Sequence, residues 1–297
     1  MSFHIFLQHL TNGLSLGSLY ALVAIGYTMV YGILRLINFA HGDIFMLGAY
    51  FAYYAISVFF LPWWVGAVVA IGLTCATGLL IERVAYRPLR NSPRISVMIS
   101  AIGVSFFLEN LATVIFGGRP KAFPVPAVLG KSIMIGKVSI MPVSLIIPVA
   151  TLVILLALMY VVHRTRTGMA MRAVSRDYTA AKLMGIDVNR IIAITFATGS
   201  ILAAFGGIMW GLKYPQLQPL MGVMPGIKCF IAAVLGGIGN IMGAVLGGLV
   251  LGLAEILITA FLPALSGYRD AIAFVILIAI LLLKPSGILG TKVTEKV

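Results

Sequence analysis

Charge is what this chain has least of. Asp, Glu, Lys and Arg make up 10% of its 297 residues, where an ordinary soluble domain carries about 25%. A deficit of that size excludes a fold whose surface is mostly in water. Acidic side chains are the rarer kind, 8 against 21 Lys and Arg, which gives a formal net charge of +13. Cysteine is nearly absent too. Cys75 and Cys229 both stand in apolar runs and read as packing residues rather than a disulfide. Segments of about ten residues alternating apolar with polar are missing, which excludes an outer-membrane barrel. A single apolar stretch would suit a secretory signal peptide, but there are many here. No nucleic-acid motif is found, so the positive balance is assigned to membrane topology and to anionic lipid headgroups.

What is present is apolar. Hydrophobic residues make up 61% of the chain, and the mean hydropathy is +1.09. No charge interrupts residues 1–34, 44–81, 191–212 or 229–254. Since a helix needs about 20 apolar residues to cross the hydrocarbon core, each run holds at least one crossing. The 32 glycines agree, because small residues let membrane helices approach closely. The pattern predicts an all-α integral membrane protein, a polytopic helical bundle of eight or nine transmembrane segments, in a single domain over 1–297. The candidate crossings are 10–34, 44–60, 64–81, 96–116, 141–162, 191–212, 226–238, 241–262 and 267–284. The seventh would span only about 20 Å at 1.5 Å per residue, short of the roughly 30 Å core. A re-entrant half-helix buried in protein is therefore the alternative for it.

Basic loops set the orientation. Loop 82–95 carries Arg83, Arg87, Arg90 and Arg94, and loop 163–190 carries Arg164, Arg166, Arg172, Arg176, Lys182 and Arg190. Two crossings separate the loops, so they share a side, and their charge places that side in the cytoplasm. The tail adds Lys284, Lys292 and Lys296 there. Loop 117–140, with Arg119, Lys121, Lys131 and Lys137, runs against this trend on the outer face. A weak internal echo, Gly42-Asp43-Ile44 and Gly239-Asn240-Ile241, raises the expectation of an inverted repeat with interrupted helices.

Loop 163–190 is the most informative stretch. Asp177 stands at an N-cap position before Tyr178-Thr179-Ala180-Ala181-Lys182-Leu183-Met184, and Gly185 stands where a C-cap glycine would. The spacing predicts a short helix outside the membrane whose apolar Leu183, Met184 and Ile186 suit docking against a partner. The bland alternative is a solvated basic loop.

Polar groups inside spans are costly and default to paired or functional roles. Glu109 and Asn110 fall toward the outer end of the fourth span, and Glu255 within the eighth. Asn38, His41 and Asp43 cluster after the first span, near its cytoplasmic end. Interrupted helices at Gly236-Gly237-x-Gly239-Asn240 are expected to leave free backbone groups. His41 and Asp43 lack a third ligand at a plausible spacing, so no metal site is expected.

Ala180-Ala181-x3-Gly185 resembles the core of the cytoplasmic motif of ABC importer permeases, with Thr179 in place of the family's glutamate and without its later Leu-Pro. Longer stretches are more specific: GSLYALVAIGYTMVYGILRLINFAHGD (17–43), IERVAYRPLR (81–90), MISAIGVSFFLEN (98–110), RAVSRDYTAAKLMGIDVNRIIAITF (172–196) and AAVLGGIGNIMGAVLGGLVLGLAE (232–255). In order along the whole chain they resemble the branched-chain amino acid permeases of the Liv H-subunit kind. The resemblance implies a multi-pass subunit of the cell inner membrane that imports Leu, Ile or Val. Its implied partners are a related second permease, two cytoplasmic ATPase subunits and an extracytoplasmic substrate-binding protein. Residues Arg172, Asp177, Ala180, Ala181, Leu183, Met184 and Gly185 would form the ATPase-coupling loop. This chain has no Gly-x4-Gly-Lys-Ser/Thr phosphate loop, so ATP and Mg would be held by the partner ATPases and the chain itself would carry no cofactor and no catalysis. A permease for urea or short amides remains open, and so does a self-contained secondary transporter, for which Glu109 and Glu255 are thin provision. No zinc pattern or activated nucleophile supports an intramembrane enzyme.

Overall fold

The computed structural model describes residues 3–90, 92–135 and 138–290. Lys137, Lys292 and Lys296, used above for orientation, lie outside them.

The described residues form twelve α-helices and four very short strands. Helix α1 (Phe3–Leu34) is followed by α2 (His41–Tyr53), continued by a π-helical turn over Tyr54–Val58. Helix α3 (Trp63–Ile81) runs on through a π-helical turn over Glu82–Tyr86 and precedes α4 (Arg94–Phe116). An outer excursion holds β1 (Lys121–Ala122), α5 (Ala127–Gly130), β2 (Ile133–Ile135) and β3 (Val138–Ile140). Then come α6 (Pro142–Arg164), α7 (Arg166–Arg176), α8 (Tyr178–Leu183) and α9 (Val188–Lys213). Last are β4 (Gln216–Leu217), α10 (Val223–Gly236), α11 (Ile241–Phe261) and α12 (Arg269–Leu283), the last entered through a 3-10 turn over Pro263–Tyr268. Seven helical segments are long and apolar enough to cross a membrane, and α10, at 14 residues, is not. The protein is a polytopic helical membrane protein, with the short seventh element where length alone had put it.

Helix α1 is the hub, packed against α6, α9, α10 and α11. Its contact with α11 is a seam of glycines. A Cβ on Gly252 would overlap the backbone of Gly17, and one on Gly248 would overlap Ala21. Lipid tails are as apolar as leucine, so close backbone approach of this kind is what holds membrane helices together.

The two ends are distinct. At one, Arg90 joins Glu82 at 2.7 Å and Asn189 at 2.6 Å, which ties loop 82–95 to the start of α9. Tyr178 of α8 donates to the carbonyl of Ile33 at the end of α1. At the other end β1 pairs antiparallel with β4, and the Lys121 ammonium sits 5.6 and 5.3 Å from the rings of Tyr53 and Tyr54. Both strongly basic loops thus share one end, the one that the positive-inside rule expects in the cytoplasm.

Two helices start inside the bundle rather than at its faces. After α1 the chain reverses at Arg35, with φ +53, and turns back inward. The His41 ring packs on Tyr27 with centroids 4.5 Å apart, and a Cβ on Gly26 would meet it. Gly26 lies eight residues before Leu34, so α2 begins about 12 Å in from the end of α1. Likewise α10 starts beside α2, where a Cβ on Gly226 would lie 3.0 Å from the Gly42 Cα. From this meeting point α2 runs to the outer end and α10 to the inner one. The half-helix matching α2 is therefore α10, opening at Gly222-Val223. The echo at Gly239-Asn240-Ile241 instead opens α11, a full-length helix starting at the cytoplasmic end, so that similarity reflects common glycine-rich composition.

Candidate functional site

Where α2, α4, α10 and α12 meet, they leave a cavity of about 430 Å³. Residues 102, 105, 106 and 109 recur at helical spacing and turn one face of α4 into it, as 223, 227 and 230 do for α10. The polar part is small. Ser105 Oγ donates to Asp43 Oδ2 at 2.5 Å, and Glu109 lies one turn further along α4. Asp43 is 2% exposed. The rest of the wall is apolar, with Phe39, Ile102, Phe106, Ile227, Phe230 and Phe274. A few convergent polar groups in an apolar concavity of this size is the usual form of a small-molecule site.

The cluster Asn38, His41 and Asp43 is split by the structure. Asn38 Oδ1 accepts from the Tyr86 hydroxyl at 2.7 Å, toward the cytoplasmic end. His41 is buried behind the cavity against α1. Asp43 alone of the three lines the cavity, at the depth of Ser105 in the middle of α4, deeper than the cytoplasmic position expected for it. Glu109 joins it from another helix, while Asn110 faces outward and donates to Phe106 O in its own helix at 2.7 Å. Among the described residues no group of three His, Cys, Asp or Glu converges as a metal would need.

Gly239 and Asn240 are elsewhere. Asn240 Oδ1 caps α11 by accepting from Gly243 N at 3.1 Å, and its Nδ2 donates to Leu289 O at 2.9 Å. Segment 284–290 packs on this turn, with Ile288 N and Leu289 N donating to Leu235 O and Gly236 O. Segment 284–290 thus covers this turn, holding Leu235 O, Gly236 O and the Asn240 side chain.

Glu255 is paired, one of the two roles open to an acid inside a span, in a buried network whose partners the sequence did not name. Tyr20 OH donates to its Oε2 at 2.9 Å, and Lys228 Nζ bonds its Oε1 at 2.8 Å. Lys228 also pairs with Asp270 at 2.7 Å. The available signal was Lys228 itself, standing alone as a cation between Lys213 and Arg269 with Glu255 and Asp270 downstream.

At the end that carries the basic loops, α7 and α8 form a small platform. Thr165 caps α7 by accepting from Gly168 N at 3.1 Å, and Met171 and Val174 bury its inner face. Arg172 donates to Val162 O, which ties α7 to α6. Asp177 Oδ1 accepts from Thr179 N at 2.8 Å and Ala180 N at 3.0 Å, and Gly185 ends α8 with φ +79. That is the helix predicted from Asp177 and Gly185, while α7 was not anticipated. Burial raises the Tyr178 phenol above its ordinary value, so it remains a protonated donor to Ile33. Ala181 is buried, but Leu183 and Met184 are 83% and 82% exposed beside Lys182. Apolar side chains so exposed in a basic surrounding suit contact with another protein.

A family model described as branched-chain amino acid transport system / permease component matches residues 9–281. The chain belongs to that permease family. Over 98% of its length and 98% of theirs, this permease is 44% identical to the high-affinity branched-chain amino acid transport system permease protein LivH of Escherichia coli K12. With the same coverage it is 46% identical to BraD, the corresponding permease protein of Pseudomonas aeruginosa. A more distant relative is a probable branched-chain amino acid transport permease protein of Methanocaldococcus jannaschii. It is 29% identical over 92% of this permease and 89% of that protein.

Proposed function

We propose that this chain is the membrane-spanning subunit of an ATP-driven importer of branched-chain amino acids in the cell inner membrane. The observation that carries this reading is identity of 44–46% with permease proteins of such systems over 98% of both chains. In this reading a related second permease completes the pathway, an extracytoplasmic binding protein delivers leucine, isoleucine or valine, and two cytoplasmic ATPases supply the energy. ATP and Mg belong to those ATPases, and this chain performs no chemistry of its own.

The residues take roles by their placement. Helix α8, with Ala180, Ala181 and Gly185, is the coupling helix, and its exposed Leu183 and Met184 enter a groove of the ATPase. Asp177 keeps the helix wound, and Arg172 holds the platform to α6, so movement of the ATPase reaches the membrane helices. The cavity at Asp43 and Glu109 is the passage for cargo.

Cysteine cross-linking tests the docking. In the assembled complex, Lys182→Cys and Met184→Cys are expected to cross-link efficiently to the ATPase subunits, and Ser132→Cys in the outer excursion is not. Cross-links from Ser132→Cys alone would overturn the orientation and the docking together.

A further inference from the structure

The cavity between the two half-helices has a feature that its role as a passage does not require. Other buried acids in this bundle have cationic partners: Glu255 has Lys228 at 2.8 Å, and Glu82 has Arg90 at 2.7 Å. Asp43 and Glu109 line one cavity, and among the described residues neither pairs with a Lys, Arg or His. A carboxylate removed from water without a counter-charge is costly. Asp43 stands in the first turn of α2, where the helix dipole favours its ionised form. The first backbone N–H groups there are already used, His41 N by Asn38 O and both Asp43 N and Ile44 N by Ala40 O. The mouth of α2 thus offers negative charge, with His41 N, Asp43 N and Ile44 N already bonded. Across the cavity the wall is hydrocarbon, from Ile227 and Phe230 on α10 to Phe274 on α12.

We propose that this cavity recognises the cargo amino acid by its two unlike ends. The α-ammonium group lies between the Asp43 and Glu109 carboxylates, and the branched aliphatic side chain lies against the wall of Ile227, Phe230 and Phe274. This deepens the function proposed above and rests on it for the identity of the cargo. Asp43 and Glu109 then set specificity by charge. They supply the counter-charge that a positive head group needs and give a neutral amide or urea no such advantage.

The test reads the charge preference of the cavity separately from transport. In vesicles holding the assembled importer, Ile227→Cys is placed in a chain carrying Cys75→Ala and Cys229→Ala. It is treated during turnover with a cationic or an anionic methanethiosulfonate reagent of similar size. With each rate divided by that of the same reagent with a free small thiol, the cationic reagent is expected to react at least about tenfold faster, as attraction by carboxylates lining the same cavity implies. With Asp43→Asn and Glu109→Gln added, the two rates should fall within about twofold of each other. In the native-cysteine chain each single substitution should lower leucine uptake at least about tenfold, with co-purification of the partner subunits showing that the complex still assembles. Equal rates in the parent, reaction with neither reagent, or undiminished uptake in both single variants overturns the proposal. If the preference appears and vanishes as stated while the native-cysteine chain moves no leucine, the cargo assignment fails and the cation-binding cavity stands.

Discussion

Lys228→Met is expected to leave little folded, assembled transporter. The substitution keeps the length of the side chain and removes its charge. It strands Glu255, which is 7% exposed and would keep only the Tyr20 hydroxyl at 2.9 Å. Asp270, with 44% of its side chain exposed, loses less because water reaches it. Removing one partner of a buried ion pair typically costs about 3–5 kcal/mol, most of it the desolvation of the charge left behind. The network also joins α10, α11 and α12 to α1, so the loss loosens the wall of the cavity. Thermal unfolding in detergent should shift down strongly for Lys228→Met and recover much of the shift in Lys228→Met with Glu255→Gln, where no charge is stranded. Unchanged unfolding of the single variant would show that the pair is not holding these helices.

Gly185→Val is expected to cripple transport while sparing assembly. Gly185 has φ +79, and nothing lies within 4 Å of a Cβ built there, so the substitution meets no steric neighbour. Its cost is confined to the backbone. A non-glycine residue in this left-handed region costs about 1–2 kcal/mol, and more when β-branched. The end of α8 would then unwind or re-aim Leu183 and Met184. Uptake of leucine and the stimulation of ATP hydrolysis by loaded binding protein should fall together, severalfold or more. Cargo binding by the isolated binding protein should not change. Gly185→Asn, which tolerates the left-handed conformation, should keep most activity. Normal uptake by the valine variant would return this helix to an ordinary solvated loop.

Much of the architecture was legible because membranes impose length and charge rules. Runs such as 191–212 can only be buried helices, and α9 covers Val188–Lys213. Helix α8 was legible because its caps are local: Asp177 and Gly185 act on backbone within a few residues. What escaped was depth. Hydropathy gives the length of a span but not where a chain re-enters, and the reversal at Arg35 places Asp43 mid-bundle rather than at the cytoplasmic end. Long-range pairing escaped as well. Tyr20 and Glu255 are 235 residues apart in the chain, and nothing local marks them as partners. Helix α7 was hidden in a run of basic residues whose buried side, Gly168, Met171 and Val174, is narrow. Gly239 and Asn240 looked like a helix break open to cargo because the segment that covers them, around Leu289, is about fifty residues away.

As proposed, this permease moves branched-chain amino acids only when driven by partner ATPases. Labelled leucine accumulation should be measured in vesicles containing this chain with its partner permease and ATPases, loaded binding protein outside, and either ATP inside or an ion gradient without ATP. The account predicts accumulation with ATP alone, competed by isoleucine and valine and not by urea, and none with the gradient. Accumulation of leucine by this chain without ATPases, driven by the gradient, would contradict it.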